Sequence, residues 1–129
     1  MHTVLIIDDE PDDIELATIA LNESRPDIDV KSALGGIPAL ALLRSRGNKS
    51  ELILLDLKMP GMNGIEVLRA IRADDRVKEI PIVVVTSSSL KSDRVKAIAA
   101  GANEYIQKPM SLDQFIQDLK PILHRWLPN

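Results

Sequence analysis

The sequence Glu51-Leu-Ile-Leu-Leu-Asp56-Leu-Lys-Met-Pro60-Gly-Met-Asn-Gly64 gives the clearest indication of the fold of this chain. An uninterrupted apolar run ends at one carboxylate, Asp56, and the Pro-Gly and Asn-Gly pairs that follow favour neither strand nor helix. Such a run is typical of a strand that is covered on both faces of a parallel sheet. Because the loops at the carboxyl ends of parallel strands form the binding crevice of such sheets, the position of Asp56 predicts a reactive site.

Composition limits the functions that are open to the chain. With 129 residues, 45% of them apolar, we expect one buried core and a single domain spanning residues 1–129. A formal net charge of −3 and scattered basic residues disfavour nucleic-acid binding, and one Trp, one Tyr and one Phe give no platform for stacked bases. The absence of cysteine excludes disulfides and thiolate metal sites. Without a signal peptide or a membrane-length apolar run, we expect a soluble cytoplasmic protein without membrane contact.

Apolar runs alternate with segments of helical periodicity along the whole chain. Strands are predicted at residues 3–7, 28–33, 51–55, 81–85 and 104–107. Helices are predicted from Pro11 to about Ser24, from Gly36 to Gly47, from Gly64 into the charged stretch 72–79, from the serines at 87–89 to Gly101, and from Ser111 onward. Five strand–helix pairs with short connections predict an α/β fold of the flavodoxin-like, doubly wound (βα)5 type, with a parallel five-stranded sheet in the order 2-1-3-4-5.

The last two helices carry more specific expectations. The spacing of Val95, Ile98 and Ala99 predicts that these side chains face inward, and the serines at 87–89 can supply the N-cap of their helix. A capping box from Ser111 to Gln114 begins the final helix, whose apolar period continues past Pro121. We therefore predict an extended C-terminal helix that is kinked near Pro121.

Acidic residues are concentrated after the first strand. Carboxylates in a first helical turn are stabilised by the helix dipole, which explains Asp12, Asp13 and Glu15. The dipole does not explain the pair Asp8-Asp9, whose charges repel each other unless a cation lies between them. In the predicted strand order the first and third strands are neighbours, so that this pair and Asp56 meet at one edge of the sheet.

Two more reactive side chains end strands at this edge. Thr86 follows the fourth apolar run and Lys108 follows the fifth. Clustered carboxylates with a backbone carbonyl suit Mg²⁺, and an Asp beside the ion can attack a phosphoryl group to give an acyl phosphate. A hydroxyl and an ammonium are suitable ligands for the transferred oxygens. The sequence therefore predicts a phosphoryl-transfer site with Asp56 as nucleophile.

These residues, taken together, resemble the receiver domain of two-component response regulators. The resemblance is carried by Asp8-Asp9, Asp56 with Met59-Pro60-Gly61-x-x-Gly64, Thr86, Tyr105 and Lys108-Pro109, and it extends over essentially the whole chain. It implies a signalling switch, in which a sensor histidine kinase or a phosphotransfer protein donates a phosphoryl group to Asp56 and a downstream protein detects the change. It also implies that the chain catalyses only its own phosphorylation and dephosphorylation.

The resemblance further assigns roles to individual residues. It implies that Asp9, Asp56 and the main-chain carbonyl of Lys58 bind Mg²⁺ directly and that Asp8 holds the ion through water. Thr86 and Tyr105 would form the switch pair, with Thr86 drawn toward the phosphoryl group and Tyr105 turning inward behind it. The Lys108–Pro109 bond is expected to be cis, since only an X-Pro bond makes that form accessible.

A narrower similarity is to standalone receivers that serve bacteriophytochromes, on the segments from Asp13 to Leu16 and Trp126-Leu127. By resemblance, Lys58 and Ser88 flank the path by which water attacks the acyl phosphate. Neither supplies an amide or acid that could orient water, so we expect a long-lived phosphorylated state. Trp126 and Leu127 extend the apolar stripe past Pro121, which predicts a homodimer formed through the tail or through the fourth helix, fifth strand and fifth helix.

Three other classes fit part of the pattern. Phosphatases of the haloacid-dehalogenase kind also use an Asp nucleophile and Mg²⁺, but they resemble one another in a second Asp two residues later, where this chain has Lys58. A flavodoxin-like FMN carrier needs a hydroxyl- and Gly-rich loop after the first strand, and the acids at 8–15 would repel its phosphate. A scaffold that has lost the chemistry is disfavoured because every reactive position is filled.

Overall fold

The computed structural model describes residues 1–108 and 111–128. In this part of the chain five strands alternate with five helices. The strands are β1 (His2–Asp8), β2 (Ile28–Leu34), β3 (Leu52–Leu55), β4 (Ile82–Thr86) and β5 (Glu104–Gln107), and the helices are α1 (Pro11–Ser24), α2 (Gly36–Arg44), α3 (Gly64–Arg72), α4 (Lys91–Ala99) and α5 (Leu112–Trp126). All strands are parallel, in the order β2-β1-β3-β4-β5. The predicted fold is confirmed.

The core is divided in two by the sheet. Alternate residues of the central strands face opposite sides, so that Leu5 and Ile7 of β1 pack with α2 and α3 while Val4 and Ile6 pack with α1 and α5. Every residue of β3 and β4 is buried, as expected for strands covered by helices on both faces. The middle of the sheet therefore holds only apolar packing, and polar chemistry is confined to the strand ends.

The loop after β3 folds back tightly on the strand that it leaves. The Gly64 amide donates a hydrogen bond to the Leu57 carbonyl at 2.9 Å, and a Cβ at position 64 would overlap the backbone of Asp56 and Leu57. Asn63 then caps α3, because its side chain accepts from the Glu66 amide while the Glu66 carboxylate accepts from the Asn63 amide. Only glycine permits this approach, so Asn63-Gly64 fixes the path of the chain beside Asp56.

Helix α4 is oriented differently from the prediction. Val95 and Ile98 are 59% and 48% exposed and Ala99 is also exposed, whereas Ala97 is fully buried in the core. The prediction that Val95, Ile98 and Ala99 face inward is therefore wrong. Apolar residues lie on two sides of this helix, so the period alone could not choose between them. The small Ala97 side chain allows the helix to pack closely on the sheet.

The N-cap prediction for α4 is also wrong. The N-cap residue is Leu90, and none of the serines at 87–89 occupies that position. The Ser88 hydroxyl instead accepts from the Leu90 amide at 3.2 Å and donates to the Asp93 carboxylate at 2.5 Å. Ser88, which lies two residues before the N-cap, thus orders the turn that leads into the helix.

Helix α5 is continuous through Pro121. The Ser111 hydroxyl accepts from the Gln114 amide at 3.2 Å, which is one half of the predicted capping box, while the Gln114 side chain donates to Asp118 Oδ1 at 2.9 Å. The kink near Pro121 stays a prediction. Leu127 is 2% exposed in the core, and the Trp126 indole donates to the Glu104 carboxylate at 3.0 Å. Leu127 therefore belongs to the core and Trp126 is half-buried against it, whereas the homodimer stays a prediction. Within the described residues, no helix is long and apolar enough to cross a bilayer.

Candidate functional site

The carboxyl ends of β1 and β3 bring acidic side chains together. Ile7 pairs with Leu55 across the two strands, and the Asp56 amide donates to the Ile7 carbonyl at 3.0 Å. Asp8 and Asp56 follow these residues directly, and each is only 5% exposed. One carboxylate oxygen from each of Asp8, Asp9 and Asp56 lies within 4.8 Å of the other two. The structure thus places these acids in one cluster at the edge of the sheet.

Asp8 is the acid of the cluster whose ionisation the fold disfavours. Burial raises the pKa of Asp8 to about 6, against an ordinary value of 3.8. A hydrogen bond from the Glu10 amide, at 3.0 Å, opposes the increase, and the charge of Asp56 adds to it. Lys108 also lowers the pKa of Asp8, through its charge and through its hydrogen bond. A site of this kind favours a cation that can approach all of the carboxylates.

Lys108 is the basic group of the site. Its Nζ donates to the carboxylates of Asp13 at 2.7 Å, Asp8 at 3.2 Å and Asp56 at 3.3 Å. Burial alone would lower the pKa of this ammonium, but the hydrogen bond to Asp13 and the charges of Asp56 and Asp8 together raise the pKa above its ordinary value. The Lys108 amide donates to the Thr86 carbonyl at 2.6 Å, which fixes the start of the side chain beside β4.

Asp13 is the member of the site that the sequence interpretation missed. Its position in the first turn of α1 was sufficient to explain its charge by the helix dipole. The structure instead places its carboxylate closer to the Lys108 ammonium than either Asp8 or Asp56. The available signal was proximity in sequence, since α1 begins only two residues after Asp9.

The two residues of the expected switch pair lie on either side of Ser88. Thr86 is fully buried at the end of β4, and its Oγ1 accepts from the Ser88 amide at 3.3 Å. The Tyr105 hydroxyl donates to the Ser88 carbonyl at 3.2 Å. Ser88 is therefore hydrogen-bonded to Thr86 through its amide and to Tyr105 through its carbonyl.

The remaining site predictions concern residues on the two flanking loops. Lys58 is exposed, and its amide donates to Asp56 Oδ1 at 3.2 Å. Binding of a metal by its carbonyl stays a prediction. The predicted cis bond between Lys108 and Pro109 involves a residue outside the described part of the chain.

The acidic cluster fits a hard divalent cation. Its donors are carboxylate oxygens, which Mg²⁺ prefers over nitrogen or sulfur, and three of them are within reach of one ion. The raised pKa of Asp8 is the second sign of fit, because it reflects burial and the charge of Asp56. The residues present would hold Mg²⁺ through Asp8, Asp9 and Asp56.

Comparison with known proteins identifies the family of this chain. The family model for the response regulator receiver domain matches residues 4–120. The DNA-binding response regulator MtrA of Mycolicibacterium smegmatis is 36% identical over 122 residues, which are 95% of this chain and 50% of MtrA. The chain thus spans about half the length of the curated relatives that it matches.

Two solved structures share the fold over nearly the whole chain. The phosphorylated cyanobacterial phytochrome response regulator RcpA is 34% identical with a TM-score of 0.89, covering 99% of this chain and 96% of RcpA. The bacteriophytochrome response regulator RtBRR is 36% identical with a TM-score of 0.76, covering 92% of this chain and 76% of RtBRR. The similarity therefore includes proteins of phytochrome signalling.

Proposed function

We propose that this chain, which belongs to the response regulator receiver domain family, is a signalling switch phosphorylated on Asp56. The observation that carries the proposal is the environment of that carboxylate. Asp56 is buried at the end of β3 beside Asp8 and Asp9, with the Lys108 ammonium 3.3 Å away. A nucleophile, a place for a divalent cation and a cation for the transferred oxygens are thus assembled in one crevice.

The proposed reaction is a transfer from phosphohistidine. An Asp56 carboxylate oxygen attacks the phosphorus, so that a P–O bond forms as the P–N bond breaks, and the released imidazole nitrogen takes a proton from water. Lys108 donates hydrogen bonds to the phosphoryl oxygens and orients them. Mg²⁺, when bound by the acidic cluster, supplies charge that lets the phosphoryl group approach the acids. Later attack by water on phosphorus releases orthophosphate and restores the carboxylate, so the chain acts only on its own phosphorylation.

Phosphorylation would alter the surface through the hydrogen bonds around Ser88. When the Thr86 hydroxyl turns toward the phosphoryl group, it leaves the Ser88 amide that it now accepts from. The Ser88 carbonyl in turn holds the Tyr105 hydroxyl. The groove beside Tyr105 is lined by exposed apolar side chains of α4, including Val95 and Ile98. We propose this groove as the surface that responds, with a sensor histidine kinase or phosphotransfer protein as donor and a downstream protein or a second copy of the chain as partner.

Mass spectrometry of the intact protein tests the proposal. After incubation with acetyl phosphate and Mg²⁺, we expect the parent to gain the mass of one phosphoryl group and Asp56→Asn to gain none. Asp75→Asn, on an exposed side chain away from the site, is the matched control and should be labelled like the parent. Labelling of Asp56→Asn to the parental extent would contradict the assignment. Sedimentation of the same samples measures whether phosphorylation produces a dimer.

A further inference from the structure

The Lys108 ammonium already has as many acceptors as it has protons. An ammonium offers three donors, and in this structure carboxylates of Asp8, Asp13 and Asp56 accept from it. The contact with Asp13, at 2.7 Å, is the shortest, and the contact with Asp56, at 3.3 Å, is the longest. The group that the phosphorylated site needs is therefore held most closely by another acid.

Asp13 differs from the other acids in its position. Asp8 and Asp56 belong to the carboxylate cluster that fits a cation, whereas Asp13 lies outside that cluster on the first turn of α1. Its side chain is 38% exposed, so that it reaches the site from the solvent side. A cation bound by the cluster would compensate Asp8 and Asp56 and weaken their attraction for Lys108. The attraction between Asp13 and Lys108 would remain.

We propose that Asp13 competes with the phosphoryl group on Asp56 for the Lys108 ammonium, an inference that rests on the proposed function. Phosphorylation adds negative charge to the site and demands a hydrogen bond from Lys108. Asp13 opposes this in two ways, because it occupies a donor of the ammonium and because its charge repels the phosphoryl oxygens. Asp13 is thus a positioning residue that weakens the hold of the site on a phosphoryl group.

Although Asp13 weakens the binding of a phosphoryl group, it should strengthen the binding of a cation in the absence of that group. Asp13 adds negative charge near the cluster, and it accepts the shortest hydrogen bond of Lys108, at 2.7 Å against 3.2 Å to Asp8 and 3.3 Å to Asp56. Removing its charge should make the cluster less attractive to Mg²⁺ and let Lys108 pair more closely with the metal-binding acids. A residue that only supported the fold would change both affinities in the same direction, so the two signs separate competition from simple support.

Calorimetric titrations of Asp13→Asn provide the test. The probes are Mg²⁺ alone, and beryllium fluoride as a phosphoryl mimic in the presence of saturating Mg²⁺. We expect Asp13→Asn to bind beryllium fluoride roughly three- to tenfold more tightly than the parent, and Mg²⁺ alone roughly two- to fivefold more weakly. Asp12→Asn is the matched control, since Asp12 is an exposed acid of the same helical turn and the same charge is lost. We expect it to stay within about twofold of the parent for both probes.

The outcomes separate this inference from the function on which it rests. If the parent gains phosphoryl mass and binds the mimic, but Asp13→Asn matches Asp12→Asn, the competition is wrong and the proposed function stands. Weaker binding of both probes by Asp13→Asn also overturns the competition, because it indicates a structural role. Asp13→Glu, which keeps the charge, should return both affinities toward those of the parent. A parent that neither binds the mimic nor gains mass overturns both proposals.

Discussion

Partly buried charged groups lie at both ends of the sheet, and their surroundings differ. At the carboxyl end, several carboxylates share the cation of Lys108. At the amino ends of β4 and β5, one guanidinium, that of Arg72, is surrounded by neutral oxygen acceptors. The first arrangement leaves like charges close together, and the second leaves a single charge with several hydrogen bonds. This difference separates a reactive site from a structural one.

Arg72 connects the loop before β4 to the loop before β5. Its Nε donates to the Gly101 carbonyl at 3.0 Å, and Nη1 donates to the carbonyls of Lys78 and Ile80, both at 2.7 Å. Nη2 donates to Asn103 Oδ1 at 2.8 Å. A planar guanidinium is the side chain that can satisfy acceptors in several directions at once. The contacts stabilise loops and involve no group that could react.

The largest expected change in stability follows from a substitution of Arg72. Arg72→Ala should lower the free energy of unfolding by about 3 kcal/mol, because several acceptors lose a charged donor together. Arg69→Ala, on an exposed arginine of the same helix, should change it by less than about 0.5 kcal/mol. Urea unfolding of both variants measures the difference. Equal losses in the two variants would show that the Arg72 contacts do not stabilise the fold.

At the carboxyl ends of the strands, removal of a charge should instead increase the stability of the fold. For metal-free protein at pH 7, Asp8→Asn should raise the free energy of unfolding by roughly 1–3 kcal/mol, since a pKa raised from 3.8 to about 6 means that the ionised form destabilises the fold. Below the ordinary pKa of 3.8 the acid is protonated in both states, and the gain vanishes. Between that value and about 6 the folded state binds more protons, so stability falls as pH rises.

Urea unfolding between pH 4 and pH 8, with and without Mg²⁺, measures this effect. Mg²⁺ should stabilise the parent more than Asp8→Asn, because binding to the folded state adds to its stability and the variant lacks one ligand charge. Asp75→Asn, on a side chain that is 91% exposed, is the control for the loss of one carboxylate. A loss of stability in metal-free Asp8→Asn at pH 7 would mean that the acid is compensated and that the contrast between the two ends is wrong.

The sequence predicted most of the fold and much of the site for the same physical reason. Fully apolar runs identify central parallel strands and also their ends, so that Asp8 and Asp56 could be placed at one edge once the strand order was inferred. Their proximity follows from the pairing of Ile7 with Leu55. These features depend on strand register, which a local pattern determines well.

Features that depend on the packing of helices were not predicted correctly. Helix α4 has apolar residues on two sides, and only the packed structure selects Ala97 rather than Val95 and Ile98 for the interior. The contact between Asp13 and Lys108 joins residues 95 positions apart, and the charge of Asp13 already had a local explanation. A satisfactory local explanation can thus conceal a long-range role.

Lys58 is a charged residue of a third kind, since it is exposed to water and lies next to the buried carboxylates. It is an exposed cation beside the carboxylate cluster, anchored through its amide to Asp56 while its side chain remains accessible to water. An ammonium here can pair with phosphoryl oxygens and block the approach of water, although solvent and salt screen the interaction. Ser88 has a different environment, since its hydroxyl is bonded to Asp93 and to the Leu90 amide. A role for Ser88 in the lifetime of the phosphorylated state stays a prediction.

The smallest expected effect follows from this screening. Lys58→Asn should lose phosphate roughly two- to fivefold faster than the parent, because the blocking charge is removed and an amide that can orient water is introduced. The measurement is the decay of phosphoryl mass in excess Mg²⁺ without a kinase. Lys49→Asn makes the same change on an exposed lysine near the opposite end of β3, and its decay should match that of the parent. If both variants lose phosphate at the parental rate, the exposed charge of Lys58 has no effect on the lifetime of the phosphorylated state. The chemistry at the carboxyl ends of the strands then depends on the buried groups alone.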